Sequence, residues 1–298
     1  MAEIIQRDGT WAFDGTTVRI TPGLHRSVPL FRQTYGEITV PLEAISGVVH
    51  EPERKRGRVR VRMRLREGAD PLLQATGGRL PDAADPYRLL VDADRSGVAE
   101  YVVDEIRQAL LLDEVPKEPT TAYLLPGPPV PVSVRSSDGT VSFDGTRVRI
   151  DWADSADRVK RATGPRIIGV DDLVQVEWLP NSGQEDGFLR FVTRETVFSK
   201  LPPDKDPYAL DLWGSVRRDL LTALVAAAVT ARLPHPSTNP GGGRADRPPP
   251  AVAGPQAWAT GHHDVLLRRL RELGELHREG VLTDEEFAMT KAIVLRGF

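Results

Sequence analysis

The amino-acid sequence predicts a mainly β fold with helices (α+β), built from two tandem small barrels that are each closed by a C-terminal helix. A disordered linker and a helical hairpin are predicted to follow. Three observations lead to this fold class: an internal repeat, an alternation of apolar and polar side chains with a period of two, and a change to helical spacing near the end of each repeat.

The composition is that of an ordinary globular protein rather than a highly charged one. The 298 residues include 39 Lys and Arg against 42 Asp and Glu, a net charge of −3, so no overall charge favours nucleic acid or a membrane. Cysteine is absent, which excludes disulfides, thiolate metal sites and cysteine nucleophiles. With no signal-peptide pattern and no apolar run long enough for a transmembrane segment, we expect a cytoplasmic protein.

The internal repeat determines the predicted domain organisation. Residues 9–20 and 139–150 are identical at nine of twelve positions, and 80–89 and 201–210 share Leu-Pro, Asp-Pro-Tyr and Leu at the same spacing. Between these anchors, the alignment pairs 40–50 with 168–178 and 57–60 with 187–190. The chain is therefore a duplicated module.

Proline-rich segments separate the predicted parts, because Pro lacks an amide donor and restricts the residue before it. The predicted domains are a first module at 1–115, a semi-stiff Pro-rich linker at 116–132, a second module at 133–233, a disordered Pro/Gly-rich linker at 234–261 and a helical hairpin at 262–298.

Each module is predicted to open with a hairpin. Apolar residues alternate on both sides of Asp14-Gly15 and again around Asp144-Gly145, and Asp-Gly is a strong hairpin-turn signal. In the first module, further strands are predicted at 37–40, 45–51, 58–66 and 87–91.

A helix is predicted to end each module, because the apolar spacing then changes from two to three or four. The first predicted apolar stripe consists of Val98, Val102, Ile106, Ala109 and Leu110. The second consists of Val216, Leu220, Leu224 and Ala228.

One strand of the first module carries an arginine at every second position. This arginine ladder, our candidate anion-binding site, consists of Arg58, Arg60, Arg62, Arg64 and Arg66. Alternation places the five guanidinium groups on one face of the strand. If 54–57 is a hairpin loop, Glu53 opposes Arg58 and Glu51 opposes Arg60.

The remaining three ladder arginines have no evident partner in the sequence. Two interpretations stay open: a solvated face neutralised by carboxylates, or a site for phosphate or carboxylate using the bidentate geometry of arginine. The corresponding strand of the second module keeps only Arg190 and Arg194, so any such site belongs to the first module.

Other groups that could carry chemistry do not form a recognisable motif. The adjacent His262 and His263 suit a metal poorly, and the remaining histidines lack a serine or acid at a motif spacing. The Asp-Gly and Asp-Pro-Tyr segments are best interpreted as turns. We therefore predict no catalytic residue, no metal site and no cofactor, and expect that the protein is not an enzyme.

The C-terminal segment is predicted to mediate oligomerisation. Gly280 is placed as a helix stop, and Thr283 with Glu286 forms a capping box that opens a second helix. The candidate oligomerisation residues are Leu266, Leu270, Leu273, Leu276, Phe287 and Ile293. A hairpin this short buries little core of its own, so its apolar faces should contact another copy, another protein or the rest of its own chain.

Two resemblances extend this interpretation. The segment LLRRLRELGELHREGVLTDEEFAMTKAIVL resembles the bacterial short C-terminal domain, SHOCT, which implies an oligomerisation or interaction element. The tandem modules, with Phe-Asp-Gly-x-x-Val-Arg-Ile and Leu-Pro-x-x-x-Asp-Pro-Tyr, resemble an actinobacterial domain-of-unknown-function family. A small barrel closed by a helix is also similar to the pleckstrin-homology architecture.

The sequence thus predicts a non-catalytic intracellular adaptor whose tail assembles with another copy of the chain or docks on another protein. The alternative function is binding of an anionic ligand, a lipid headgroup or a nucleic-acid backbone, through the arginine ladder. Such a partner would be weakly held and sensitive to salt.

Overall fold

The computed structural model describes residues 2–52, 57–197 and 201–238 and is mainly β with several helices. All described residues belong to one compact unit, Met1–Gly242. The predicted hairpin at 262–298 and nearly all of the linker at 234–261 lie outside the described residues.

The first repeat forms two antiparallel sheets and three helices. Its elements are β1 (Ala2–Gln6), β2 (Gly9–Phe13), β3 (Thr17–Pro22), α1 (Leu30–Tyr35), β4 (Ile38–Pro41), β5 (Ile45–Pro52), β6 (Val59–Leu65), α2 (Pro71–Thr76), β7 (Arg88–Val91) and α3 (Ser96–Leu112). The sheets have the strand orders β1-β2-β3-β4 and β5-β6-β7.

The second repeat has the same order of sheets, as the internal duplication predicts. Its elements are β8 (Val132–Arg135), β9 (Gly139–Phe143), β10 (Arg147–Trp152), α4 (Arg158–Ala162), β11 (Arg166–Gly169), β12 (Leu173–Leu179), β13 (Gly187–Thr193), β14 (Ala209–Leu212), α5 (Val216–Asp219) and α6 (Thr222–Thr230). Here β8-β9-β10-β11 form one sheet and β12-β13-β14 the other.

Closed barrels are not found among the described residues, which corrects one part of the predicted fold. The strands pair into four separate sheets, and no sheet returns to its own first strand. A 3-10 turn, Leu42–Ala44 in the first repeat and Val170–Asp172 in the second, separates the two sheets of each module. The chain therefore leaves one ladder before it enters the next.

The predicted Asp-Gly hairpin turns are confirmed in both repeats. Asp14 Oδ1 accepts hydrogen bonds from the amides of Thr16 and Thr17 at 2.9 and 2.8 Å, and Asp144 makes the same pair of contacts in the second repeat. These bonds to the charged carboxylate hold the pKa of Asp14 well below its ordinary range. These hydrogen bonds are those of the turns that the sequence predicts for both aspartates.

The terminal helices differ from the predicted stripes. In α3 the buried residues are Ala99, Val102, Val103 and Ile106, whereas Val98 is exposed, so the buried face is rotated by about one residue. In the second repeat the predicted single helix is divided into α5 and α6. Every residue of α6 is buried, because this helix is covered on more than one side.

The second cover of α6 comes from the first repeat. Twenty-two residues join β6 to β7, but only 15 join β13 to β14, and the longer connection in the first repeat contains α2. Helix α2 packs on α6 and on β12. Helix α2, which has no counterpart among the described residues of the second repeat, therefore covers a surface of that repeat.

The predicted semi-stiff linker is also packed into this body. The amides of Leu124 and Leu125 both donate to the carbonyl oxygen of Ala69, and Leu125 is buried. Most of the buried apolar residues of both repeats belong to one continuous core. Among the described residues, no helix is both long and apolar enough to cross a membrane.

Candidate functional site

Three of the five ladder arginines, Arg60, Arg62 and Arg64, lie on β6, the central strand of the second sheet of the first repeat, and Arg58 and Arg66 flank it. Val61 and Met63 on this strand are buried, while the intervening Arg62 and Arg64 lie on the opposite, accessible face. Glu51 is opposite Arg60 in the pairing of β5 with β6, as predicted. Glu53, the predicted partner of Arg58, lies outside the described residues.

Carboxylates from the connection before β7 neutralise much of the ladder. Arg62 Nη2 lies 2.8 Å from Asp82 Oδ1 and 3.4 Å from Asp85 Oδ2. Arg60 Nη1 lies 3.7 Å from Asp82, and Arg88 of the neighbouring strand also pairs with it. The expectation that Arg62 lacks a partner is wrong, because Asp82 and Asp85 follow it by some twenty residues and meet it only when β7 pairs with β6.

The other ladder arginines have different surroundings. Arg58 Nε lies 3.1 Å from Asp92 Oδ1. Arg66, also expected to be unpartnered, donates to the carbonyl oxygens of Glu43 and Glu118 at 3.0 and 2.9 Å. Arg64 is exposed, and within the described part of the chain it makes no ion pair. It is therefore the ladder arginine most available to an external anion.

The second repeat shows which part of this arrangement is structural. Leu65 pairs with Ile45, and Thr193 pairs with Leu173, so Arg190 occupies the position of Arg62. The alignment of 57–60 with 187–190 predicts that Arg190 corresponds to Arg60, which is wrong by two residues. A shift of two residues leaves the side chain on the same face of the strand. Arg190 Nε donates to Asp206 Oδ2 at 2.8 Å.

The repeated Asp-Pro-Tyr turn receives this arginine in both modules. Asp85 accepts from the Tyr87 amide and contacts Arg62, and Asp206 accepts from the Tyr208 amide and contacts Arg190. Burial raises the pKa of Asp85 above its ordinary value, while the guanidinium and the amide oppose this shift. Arg62 and Arg190 thus fasten a turn to a strand, which explains why both copies keep them.

A second repeated contact was missed by the sequence interpretation. Arg32 on α1 lies 2.9 Å from Asp8, and in the second repeat Lys160 on α4 pairs with Asp138. Asp8 Oδ2 also accepts from the amide of Leu90, and Asp138 Oδ2 from that of Asp211. The available signal was an Asp-Gly-Thr at equivalent positions of both repeats, 8–10 and 138–140.

An open groove of about 430 Å³ lies on the first sheet of the second repeat. Ser133, Ser142, Arg149 and Ile167 form one row across its floor, since they are paired from strand to strand. Arg149 makes a bidentate contact with Asp151 at 2.7 and 2.8 Å, which neutralises its charge.

Within residues 2–52, 57–197 and 201–238, no three side chains of the metal-ligating types come together as a metal site would require. The predicted oligomerisation residues and the His262-His263 pair lie outside these ranges.

Comparison with known proteins identifies the repeats. The family model for a domain of unknown function (DUF4429) matches residues 11–107 and 141–230, together more than half of the chain. No curated protein matches the sequence. The two matched segments coincide with the two structural repeats, and the chain therefore belongs to the DUF4429 family, with two copies of its domain in tandem.

Proposed function

We propose that the protein is a non-catalytic binding or adaptor protein of the cytoplasm, in which a tandem body carries partners and the C-terminal tail assembles copies of the chain. The observation that supports this most directly is that both repeats belong to one compact unit, Met1–Gly242, whereas the predicted assembly residues all follow it in the sequence. Joining weakly binding modules through an assembling tail raises their avidity without any new contact.

The order of elements supports a finer assignment of each module. A four-stranded sheet, a three-stranded sheet and a terminal helix follow one another in the order of a pleckstrin-homology-like module. The resemblance of the tail to SHOCT supports a role in oligomerisation or partner docking.

Deletion of residues 257–298 tests this proposal. We expect the full chain to be an oligomer at tens of micromolar and the deletion variant to be a monomer. The far-UV circular dichroism of the deletion variant should show that the two repeats keep their secondary structure. Light scattering coupled to size-exclusion chromatography measures both masses. Leu270→Asp should have the same effect, and a monomeric full chain would contradict the proposal.

A second candidate function is binding of phosphate-bearing polyanions by the arginine ladder. Its specific support is Arg64, which is exposed, makes no ion pair within the described part of the chain, and shares its face of β6 with Arg60 and Arg62. An arginine that is not neutralised there gives a locally positive surface.

The test uses Arg64→Glu, because Arg62 also holds the Asp85 turn and its replacement would disturb the fold. Sedimentation with phosphatidylserine vesicles and binding to duplex DNA, each at low and high salt, separate the two sources of phosphate. We expect salt-sensitive binding that Arg64→Glu abolishes. Arg147→Glu, an equal charge change at an exposed site of the second repeat, should have little effect. Undetectable binding at low salt would leave the solvated face as the better interpretation.

A further inference from the structure

The connection between β3 and α1, residues 23–29, presents an apolar side chain to solvent. We call this segment the tip loop. Leu24 on the tip loop is 91% exposed, more than any other large apolar residue that the structure describes. Its side chain therefore contributes almost nothing to the core of its own chain.

The backbone of the tip loop is held on both sides of Leu24. The side-chain amide of Gln33 donates to the carbonyl oxygens of Gly23 and His25 at 3.2 and 3.1 Å. The amide of Val28 donates to the carbonyl oxygen of His25 at 2.9 Å, and the side chain of Val28 is buried. Leu24 is thus presented from a fixed backbone, which lowers the entropy that a partner must remove.

Two arginines lie close to Leu24 in the fold or in the sequence. The amide of Gly23 donates to the carbonyl oxygen of Asp8 at 3.1 Å, and a Cβ at Gly23 would collide with the carbonyl oxygen of Arg7. The glycine therefore lets the tip loop approach the turn that carries Arg7. Arg7 and Arg26 are both exposed, and neither forms an ion pair with another described residue.

The tip loop lies at the same end of the first repeat as one end of the arginine ladder. Gln6, which precedes Arg7, accepts a hydrogen bond from the amide of Asp92 at 3.3 Å. Asp92 in turn lies 3.1 Å from Arg58, the first arginine of the ladder. These contacts connect the ladder to the turn on which the tip loop packs.

The second repeat provides a matched comparison. The amide of Ala153 donates to the carbonyl oxygen of Asp138, as Gly23 does to Asp8, so the two connections are equivalent. The second connection, residues 153–157, is two residues shorter and carries the exposed Asp154. Ser137 occupies the position of Arg7. The combination of an exposed leucine with cations therefore belongs to the first repeat, as the ladder does.

We propose that this end of the first repeat contacts an anionic lipid bilayer, with Leu24 inserted below the headgroups and Arg7 and Arg26 at the lipid phosphates. An apolar side chain flanked by cations fits the boundary between headgroups and acyl chains. A nucleic acid attracts the same arginines but has no apolar layer that would receive Leu24. The inference rests on the second candidate function, because the ladder is attracted by the same headgroups, and it adds an apolar contact to that function.

Insertion of Leu24 is tested with a fluorescent label on the full chain. The sequence has no cysteine, so Leu24→Cys gives a single site for the environment-sensitive fluorophore NBD. With phosphatidylserine vesicles at low salt, we expect its emission to become stronger and to shift to the blue, because the label leaves water. Phosphatidylcholine vesicles and duplex DNA should leave the emission unchanged. Asp154→Cys, labelled in the same way, is the matched control and should not respond.

An unlabelled variant measures the contribution of the leucine itself. Leu24→Ser should lower the affinity for phosphatidylserine vesicles about tenfold in sedimentation, since burial of a leucine side chain accounts for a factor of this order. Binding to duplex DNA should not change. Leu111→Ser removes a side chain that is 78% exposed at the end of α3, and it should leave both affinities unchanged.

The outcomes separate insertion from attraction by the ladder. A labelled chain that sediments with the vesicles without a change in emission would overturn the insertion and leave the ladder as the contact. Equal responses of the labels at positions 24 and 154, or an affinity that Leu24→Ser leaves unchanged, would also overturn it. If the wild-type chain does not sediment with phosphatidylserine vesicles at low salt, both the insertion and the binding of bilayers by the ladder are wrong.

Discussion

Individual side chains fasten each module through polar contacts that recur in both repeats. Arg62 and Arg190 hold the Asp-Pro-Tyr turn, and Asp8 and Asp138 each join the first hairpin to a helix and to the last strand. Arg190 is more buried than Arg62, with 17% against 42% of its side chain exposed, so solvent screens its ion pair less. The ladder thus combines structural arginines with the exposed Arg64.

Asp70 is the residue for which the structure predicts the clearest pH effect. Its carboxylate caps α2 by accepting from the amides of Leu72 and Leu73, and it also accepts from the Tyr87 hydroxyl at 2.8 Å. Burial raises the pKa of Asp70 to about 6, against the opposing effect of these bonds.

Because the folded pKa of Asp70 exceeds the unfolded value of about 3.9, the folded state holds the proton more tightly. The free energy of unfolding should therefore fall as the pH rises from about 4 to about 6, by up to about 3 kcal/mol from this group, and stay level above that range. Urea denaturation at about pH 4.5 and pH 7 measures the change.

Asp70→Asn should reduce this pH dependence, since Asn does not ionise and remains a good N-cap. The control is Asp14→Asn, because the pKa of Asp14 is shifted downward and its carboxyl stays ionised throughout the interval. If Asp70→Asn keeps the wild-type pH dependence, the ionisation of another group is responsible.

At the level of elements, the contact between α2 and α6 makes one body of the two repeats. The face of α2 buries Pro71, Leu72, Ala75 and Thr76, while Gln74 is exposed. Helix α6 consists of small and β-branched residues with one leucine, so its second face offers a flat apolar surface that a short helix can approach closely. The connection between β6 and β7 is seven residues longer than its counterpart in the second repeat. Its helix α2 covers a face of α6 that would otherwise contact solvent.

Leu72→Ala should destabilise both repeats together. Removing a fully buried leucine leaves a cavity and costs about 2–4 kcal/mol. Hydrogen exchange of the amides of β2 and β9 in urea reports on the first and second repeat respectively, and both transitions should shift by the same amount. Gln74→Ala should leave the free energy of unfolding within about 0.5 kcal/mol of the wild type. A shift confined to one of the two strands would mean that the repeats unfold independently.

At the scale of the whole molecule, the two repeats share one hydrophobic core. The amides of the linker residues Leu124 and Leu125 donate to Ala69 of the first repeat, and His235 contacts Gly68. The segments before and after the second repeat therefore both contact the first repeat. Strands β8, β9 and β12 of its own repeat cover part of α6, and α2 of the first repeat covers another part.

A cut at residue 131 tests this organisation. The fragment 132–238 alone should aggregate, because it exposes the apolar face of α6 that α2 covers. Co-expression with 1–131 should restore a soluble one-to-one complex on size-exclusion chromatography, with the ellipticity of the intact body. A monomeric, cooperatively folded 132–238 would instead establish the second repeat as an independent domain.

The amino-acid sequence by itself determined the duplication, the paired hairpins, the phase of the β6 strand and the turn role of Asp14 and Asp144. These features depend on residues that are close in sequence, because the period of two and the hydrogen bonds of an Asp-Gly turn are local. Local interactions of this kind can be predicted from the sequence. It predicted one face of the arginine ladder correctly for the same reason.

Tertiary structure alone decided which carboxylates contact the ladder, which surface of α6 is covered and where residues 234–238 contact the first repeat. Arg62 and Asp82 are 20 residues apart, and His235 and Gly68 are 167 apart. Such pairs meet only in the folded protein, so no local sequence pattern predicts them. That the described strands form no closed barrel has the same origin, since sheet closure depends on hydrogen bonds between strands that are distant in sequence.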